Sequence, residues 1–124
     1  MAHPDILGLN KHIQYTAIPG GHHQKSNMWG VATLWLPNRT GTTVAIQFQD
    51  GPIQEHGVNG VGLENVLEIC RVRLQMFQEG PFRCRENAIA LTKIEEALLW
   101  LGARTALRQE QGVEGTNQPH QSAA

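Results

Sequence analysis

The chemistry this sequence can offer is carried by a few residues at the ends of two apolar runs: Phe77, Arg85, Asn87, Arg104 and Arg108. Arg104 and Arg108 stand four apart. On a helix their guanidiniums project from one face, a fork suited to a phosphate or a pyrophosphate. The same pair near a helix C-terminus is also what the macrodipole favours with no ligand at all. Phe77 offers an aromatic face on which a base can stack, and Asn87, with Arg85 beside it, an amide that can read a polar edge. Phe77 equally suits the last position of a core stripe.

Recognised catalytic templates are absent. There is no Gly-x-Ser-x-Gly, phosphate loop or His-Glu-x-x-His. Of six histidines, His22 and His23 fall in a Gly-rich turn, and the others lack Cys or carboxylate partners at metal-ligand spacing. Glu95 and Glu96 are adjacent, so on a helix they point about 100° apart and make no acid pair. Cys70 and Cys84 form no Cys-x-x-Cys and read as reduced thiols. The expectation is a protein with no metal, no cofactor and no catalytic residue.

The elements that position these side chains lie in the second half. Leu63, Val66, Leu67, Cys70, Leu74 and Phe77 recur at helical spacing until Glu79-Gly80-Pro81 stops the run. A second helix begins near Cys84 or Arg85. Its apolar positions cover more of the circumference than one core-facing stripe needs, which predicts a second packing partner. Only about five residues separate the two, so they fold back as an antiparallel hairpin. Upstream, Val44, Ile46 and Phe48 alternate with Thr43, Gln47 and Gln49 as in a half-buried strand, and Met28–Leu36 and Ile13–Ile18 are further strands. Pro37-Asn38-Arg39-Thr40-Gly41 supplies a hairpin turn, and Ile53–His56 is a candidate fourth strand.

The fold class is therefore α+β: a small antiparallel sheet of three or four strands over residues 1–61, then a two-helix hairpin over 62–111. One domain spanning 1–116, with a mobile tail at 117–124, fits a chain of 124 residues. Charge changes near Gly62: six charged residues precede it, and residues 62–111 carry seven of each sign. A net charge of -1 and a pI near 6.6 argue against a protein that coats DNA or RNA. Met1–Ile6 lacks a basic segment leading into an apolar run, and no apolar stretch approaches the roughly 20 residues that span a bilayer, so no membrane role is expected.

Helix geometry sets a constraint on any shared site. Asn87 and Arg104 are 17 residues apart on one helix, roughly 25 Å at about 1.5 Å per residue, too far to grip one small nucleotide. Two copies packed with the second helix antiparallel bring the Phe77/Asn87 end of one beside Arg104 and Arg108 of the other. An isologous dimer then holds two identical composite pockets.

The run Gly80–Leu101, followed by Arg104-Thr105, Arg108 and Gly112-Val-Glu-Gly-Thr116, closely resembles the helical hairpin of phage anti-Thoeris proteins, which is shared with phage anti-CBASS sponges. Asn59-Gly60-Val61 and Phe77-Gln78 match as well, so the helical resemblance covers about residues 59–116. The strand region is similar to the amino-terminal sheet of the anti-Thoeris branch, with weaker motifs. Gly62-Leu63 departs from the polar capping residues of the family.

The resemblance implies a non-enzymatic sponge that captures glycocyclic ADP-ribose isomers made by TIR-domain proteins, in the cytoplasm of the infected bacterial host. It assigns Phe77 to base stacking, Asn87 to polar reading, and Arg104 and Arg108 to phosphate or ribose contacts, with Arg85 as an addition. It also implies a homodimer at least, extending to a hexamer, and for some relatives cyclic di- or trinucleotides at separate sites. Two other classes compete. One is a hydrolase of a signalling nucleotide, using Glu86 or Glu96 to activate water; the other is a small dimeric nucleic-acid-binding regulator.

Overall fold

A computed structural model describes residues 6–9, 13–16, 31–35, 43–116 and 118–122. The chain forms two compact units, Met1–Val61 and Gly62–Ala124, and the boundary falls where the charge pattern changes. In the first unit, β1 (Ile13–Thr16), β2 (Val31–Trp35) and β3 (Thr43–Gln47) form an antiparallel sheet in the order β1-β2-β3. Residues opposite one another share a face. The register aligns Ile13, Leu34 and Val44 across the sheet, and likewise Tyr15, Ala32 and Ile46. This is the apolar face that the period-2 pattern requires, and Ala32 on it is buried. The expected turns at Pro19–Gly21 and Pro37–Gly41, and the His22-His23 pair, lie outside the described residues.

Beyond β3 the chain reverses, and here the expectation of a fourth strand fails. Ile53–His56 is a single helical turn, α1, because the N–H groups of Glu55 and His56 both donate to the Pro52 carbonyl, at 3.1 and 2.9 Å. Gly51, at φ 82°, makes the preceding bend. The reversal brings Val61 back beside Phe48 as an isolated parallel bridge.

Neutral amides hold it closed. Asn59 brackets the Asp50 backbone: its Oδ1 accepts the Asp50 N–H at 2.8 Å, and its Nδ2 donates to the Asp50 carbonyl at 2.9 Å. Gln49 accepts the Asn59 N–H at 2.9 Å and donates to the Gly57 carbonyl at 2.7 Å. Gly60 is required by space, since a Cβ there would sit 2.5 Å from the Phe48 carbonyl carbon and oxygen.

The second unit is an antiparallel hairpin of α2 (Leu63–Glu79) and α3 (Arg85–Glu110). Gly62, which has no side-chain acceptor, is compensated at the start of α2 by Asn65, whose Oδ1 accepts the Gly62 N–H at 3.0 Å. At the turn, Gln78 Oε1 accepts the Cys84 N–H at 3.1 Å, and Cys84 Sγ caps α3 by accepting the Asn87 N–H at 3.4 Å. Leu91 of α3 is buried, whereas Ile69, Leu99 and Trp100 are 69%, 74% and 77% exposed. The hairpin thus carries large apolar side chains that it does not cover itself. With 26 residues against 17, α3 outruns α2, and its last turns are met by the C-terminal segment instead.

Candidate functional site

The hairpin separates its polar chemistry into two ends. Phe77, two residues before the end of α2, lies at the tip with Arg85 and Asn87 of the first turn of α3. Arg104 and Arg108 lie at the opposite, basal end. Because α3 runs unbroken from Arg85 to Glu110, Asn87 and Arg104 are about 25 Å apart along one rigid rod. Within one chain the five residues form two clusters.

The tip combines an aromatic cleft with exposed arginines. Arg73, Met76, Phe77, Gly80, Pro81 and Phe82 line a cleft of about 180 Å³. The Arg73 guanidinium carbon stands 5.2 Å from the centroid of the Phe77 ring, within cation–π range. Arg73, Arg83 and Arg85 are exposed, and none forms an ion pair among the described residues. The N-terminus of α3 adds its positive dipole end to the same place. The half-buried Asn87 has a backbone N–H held by Cys84, while its side-chain amide has no partner among the described residues.

The basal arginines differ sharply from the tip. Arg104 pairs with Glu64 of α2, its Nη2 2.7 Å from Oε1, and both side chains are well exposed. Arg108 is only 17% exposed and commits its whole guanidinium to its own chain. Nη2 donates to the carbonyls of Val113 and Thr116 at 2.8 and 2.9 Å, and Nη1 donates to that of Gln118 at 2.9 Å and lies 3.5 Å from His120 Nδ1. Nε faces Glu114 at 3.3 Å. Three of these contacts are hydrogen bonds to backbone carbonyls, and Glu114 sets a carboxylate beside the charge. Gly112 and Gly115, at φ 74° and 80°, make the bends that bring these carbonyls to it.

Residues expected to be a mobile tail are bonded into this arrangement. Gln118 accepts from Arg108, and Gln121 exchanges two hydrogen bonds with the Gln111 side chain, both at 2.8 Å.

The spacing of Arg104 and Arg108 does put them on one face, but positive charge is not concentrated there, because Glu64 and Glu114 offset it. Sequence reasoning passed over Arg73, Phe82 and Arg83 at the tip. Arg73 had a legible signal, since it precedes Phe77 by four residues on the same helix face. Among the described residues no three His, Cys, Asp or Glu side chains are grouped to hold a metal ion, and no helix is long and apolar enough to cross a membrane.

A sheet and reversing loop followed by a two-helix hairpin define a class of protein, and the Acb2/Tad1 hairpin-domain family model matches residues 41–106, more than half of the chain. The protein belongs to that family. Within it, the chain is 53% identical over 78 residues to Thoeris anti-defense 1 of Bacillus phage SBSphiJ7, an alignment covering 63% of this chain and 55% of that protein. The chain thus spans about half the length of this curated relative. Phe77, Arg85, Asn87 and Arg104 fall inside the family match, whereas Arg108 and the segment it holds lie beyond it.

Proposed function

We propose that this is a phage anti-defence protein that captures cyclic ADP-ribose-type immune signals without cleaving them and so blocks Thoeris immunity in the cytoplasm of the infected host. The observation that carries the proposal is the separation of the two clusters along unbroken α3, in a chain that shares 53% identity with a Thoeris anti-defense protein. A ligand with a base at one end and phosphates at the other is met by two copies. Phe77, Asn87 and Arg85 of one receive the base side, and the basal end of the other receives the phosphates. The exposed Ile69, Leu99 and Trp100 supply apolar area for such packing.

In this reading Arg104 exchanges Glu64 for a phosphate. Arg108 is the second basal cation toward the phosphates, and it also holds the carbonyls of Val113, Thr116 and Gln118 beside the end of α3. Capture needs affinity and no bond breaking, which accords with a site built from an aromatic ring, an amide and guanidiniums.

The test is to mix the purified protein with the product of a TIR-domain enzyme, remove free ligand, and identify by mass what heat releases. Release of intact cyclic ADP-ribose isomer supports the sponge. Release of a hydrolysed product means an enzyme, and release of no nucleotide overturns the function.

A further inference from the structure

We propose that Arg73 is a ligand-contact residue that closes over the nucleobase, making a Phe77–base–guanidinium sandwich in the tip cleft. The inference rests on the proposed capture of a nucleotide and adds a residue to that site. Three observations carry it.

The first is size. A cleft of about 180 Å³ lies below the roughly 300–1,000 Å³ of pockets that enclose a whole small molecule. It suits one planar heteroaromatic ring and leaves the rest of the ligand to other groups.

The second is that Arg73 and Phe77 line the same cleft, with the guanidinium over the ring at 5.2 Å. The ring face that a base would use is therefore already covered by a planar cation. A base inserted between them needs two contact layers of about 3.5 Å each, or roughly 7 Å. Arg73 then has to move outward by about 2 Å.

The third is that nothing prevents this. Arg73 is exposed, its guanidinium lies over the ring, and it forms no ion pair among the described residues. A guanidinium is flat, weakly hydrated and stacks on π faces, so it can cover a base as it covers Phe77. Free protein and complex are then two positions of one side chain, and the ring stays shielded in both. The cation also brings positive charge to the side of the base that leads to the phosphates, in company with Arg83 and Arg85.

The probe is the cyclic ADP-ribose isomer eluted from wild-type protein, titrated calorimetrically into wild type, Arg73→Met, Arg73→Lys, Lys93→Met and Phe77→Ala. Arg73→Met keeps the apolar stem and should weaken binding about tenfold, within the range of a desolvated cation–π contact. Arg73→Lys keeps charge without the plane and should lose about threefold. Lys93→Met, on α3 outside the cleft, should lose less than twofold.

Hypochromicity of the bound base near 260 nm, a direct signal of stacking, should be smaller in Arg73→Met than in wild type. Unchanged melting temperature separates these effects from damage to the fold. Affinity within twofold of wild type in Arg73→Met, or full affinity in Arg73→Lys, overturns the sandwich. If Phe77→Ala loses binding while Arg73→Met keeps it, the clamp alone fails. If wild type elutes no nucleotide, the capture function fails with it.

Discussion

The two ends of the hairpin use the same residue type in opposite ways. At the tip, Arg73, Arg83 and Arg85 are exposed and form no ion pair among the described residues, and the positive end of α3 lies beside them. At the base, Arg104 is matched to Glu64, and Arg108 is bonded into its own C-terminal segment. Charge left unmatched attracts an anionic ligand and steers it inward. Charge whose donors are bonded to carbonyls organises backbone. Identical side chains are therefore left exposed at one end and bonded to their own chain at the other, and local partners decide which.

The largest effect expected from breaking this contrast comes from Arg108→Ala. It strands the carbonyls of Val113, Thr116 and Gln118 and should destabilise the hairpin unit by about 3 kcal/mol, lowering its melting temperature by more than about 10 °C. Amide exchange at Val113 and Thr116 should accelerate. Arg108→Lys should recover less than half of the loss, since an ammonium lacks the planar fork. A melting temperature within 2 °C of wild type would show the basal arginine to be as dispensable as those at the tip.

The double variant Arg83→Gln/Arg85→Gln probes the other end. Its stability should stay within about 0.5 kcal/mol of wild type. Its association with the captured nucleotide should slow several-fold at low salt, with the difference vanishing near 1 M, where the Debye length is about 3 Å. Stopped-flow measurements at two ionic strengths decide it, and an equal loss at both would remove steering from the account.

Glu64→Gln should sharpen the contrast by making the base resemble the tip. An exposed pair of this kind contributes about 0–1 kcal/mol, so stability should barely move while the released Arg104 binds ligand a few-fold more tightly. Weaker binding would mean that Glu64 holds Arg104 in the productive position.

The smallest effect concerns Glu68 and Arg71 on α2. A bidentate contact, with Arg71 Nε and Nη2 at 2.8 and 2.6 Å from the carboxylate, holds the Glu68 carboxyl below its ordinary range. A depressed carboxyl stabilises the fold above its unfolded pKa of about 4.3 and loses that contribution as pH falls through its lower folded value. Glu68→Gln should lower the melting temperature slightly at neutral pH and converge with wild type in acid. A gap that persists unchanged at low pH would assign the effect to helix propensity.

Much of this was legible in the residues because it depends on short-range spacing. Val44, Ile46 and Phe48 alternate as a strand must, the apolar run from Leu63 to Phe77 recurs as a helix must, and Gly80-Pro81 stops it. Periodicity of side chains and backbone breakers are properties of neighbours, so a linear chain displays them. The separation of Asn87 from Arg104 was equally readable, because an unbroken helix converts residue number directly into distance.

Partners distant in sequence were not readable. Ile53–His56 looked extended from composition, yet it closes a helical turn on the Pro52 carbonyl inside a reversal that Asn59 and Gln49 hold. Arg108 looked like a free member of a phosphate fork, and no spacing rule reveals that three carbonyls up to ten residues further on curl back to it. Arg104 looked equally free, although Glu64, forty residues earlier, neutralises it.

What the sequence by itself determined is the set of elements, their faces and the distance between the two clusters, since local sterics and periodicity act within a few residues. What only the tertiary structure decided is which arginines remain available to a ligand. Availability is the charge left after every partner has been placed, and those partners meet only when the chain has folded.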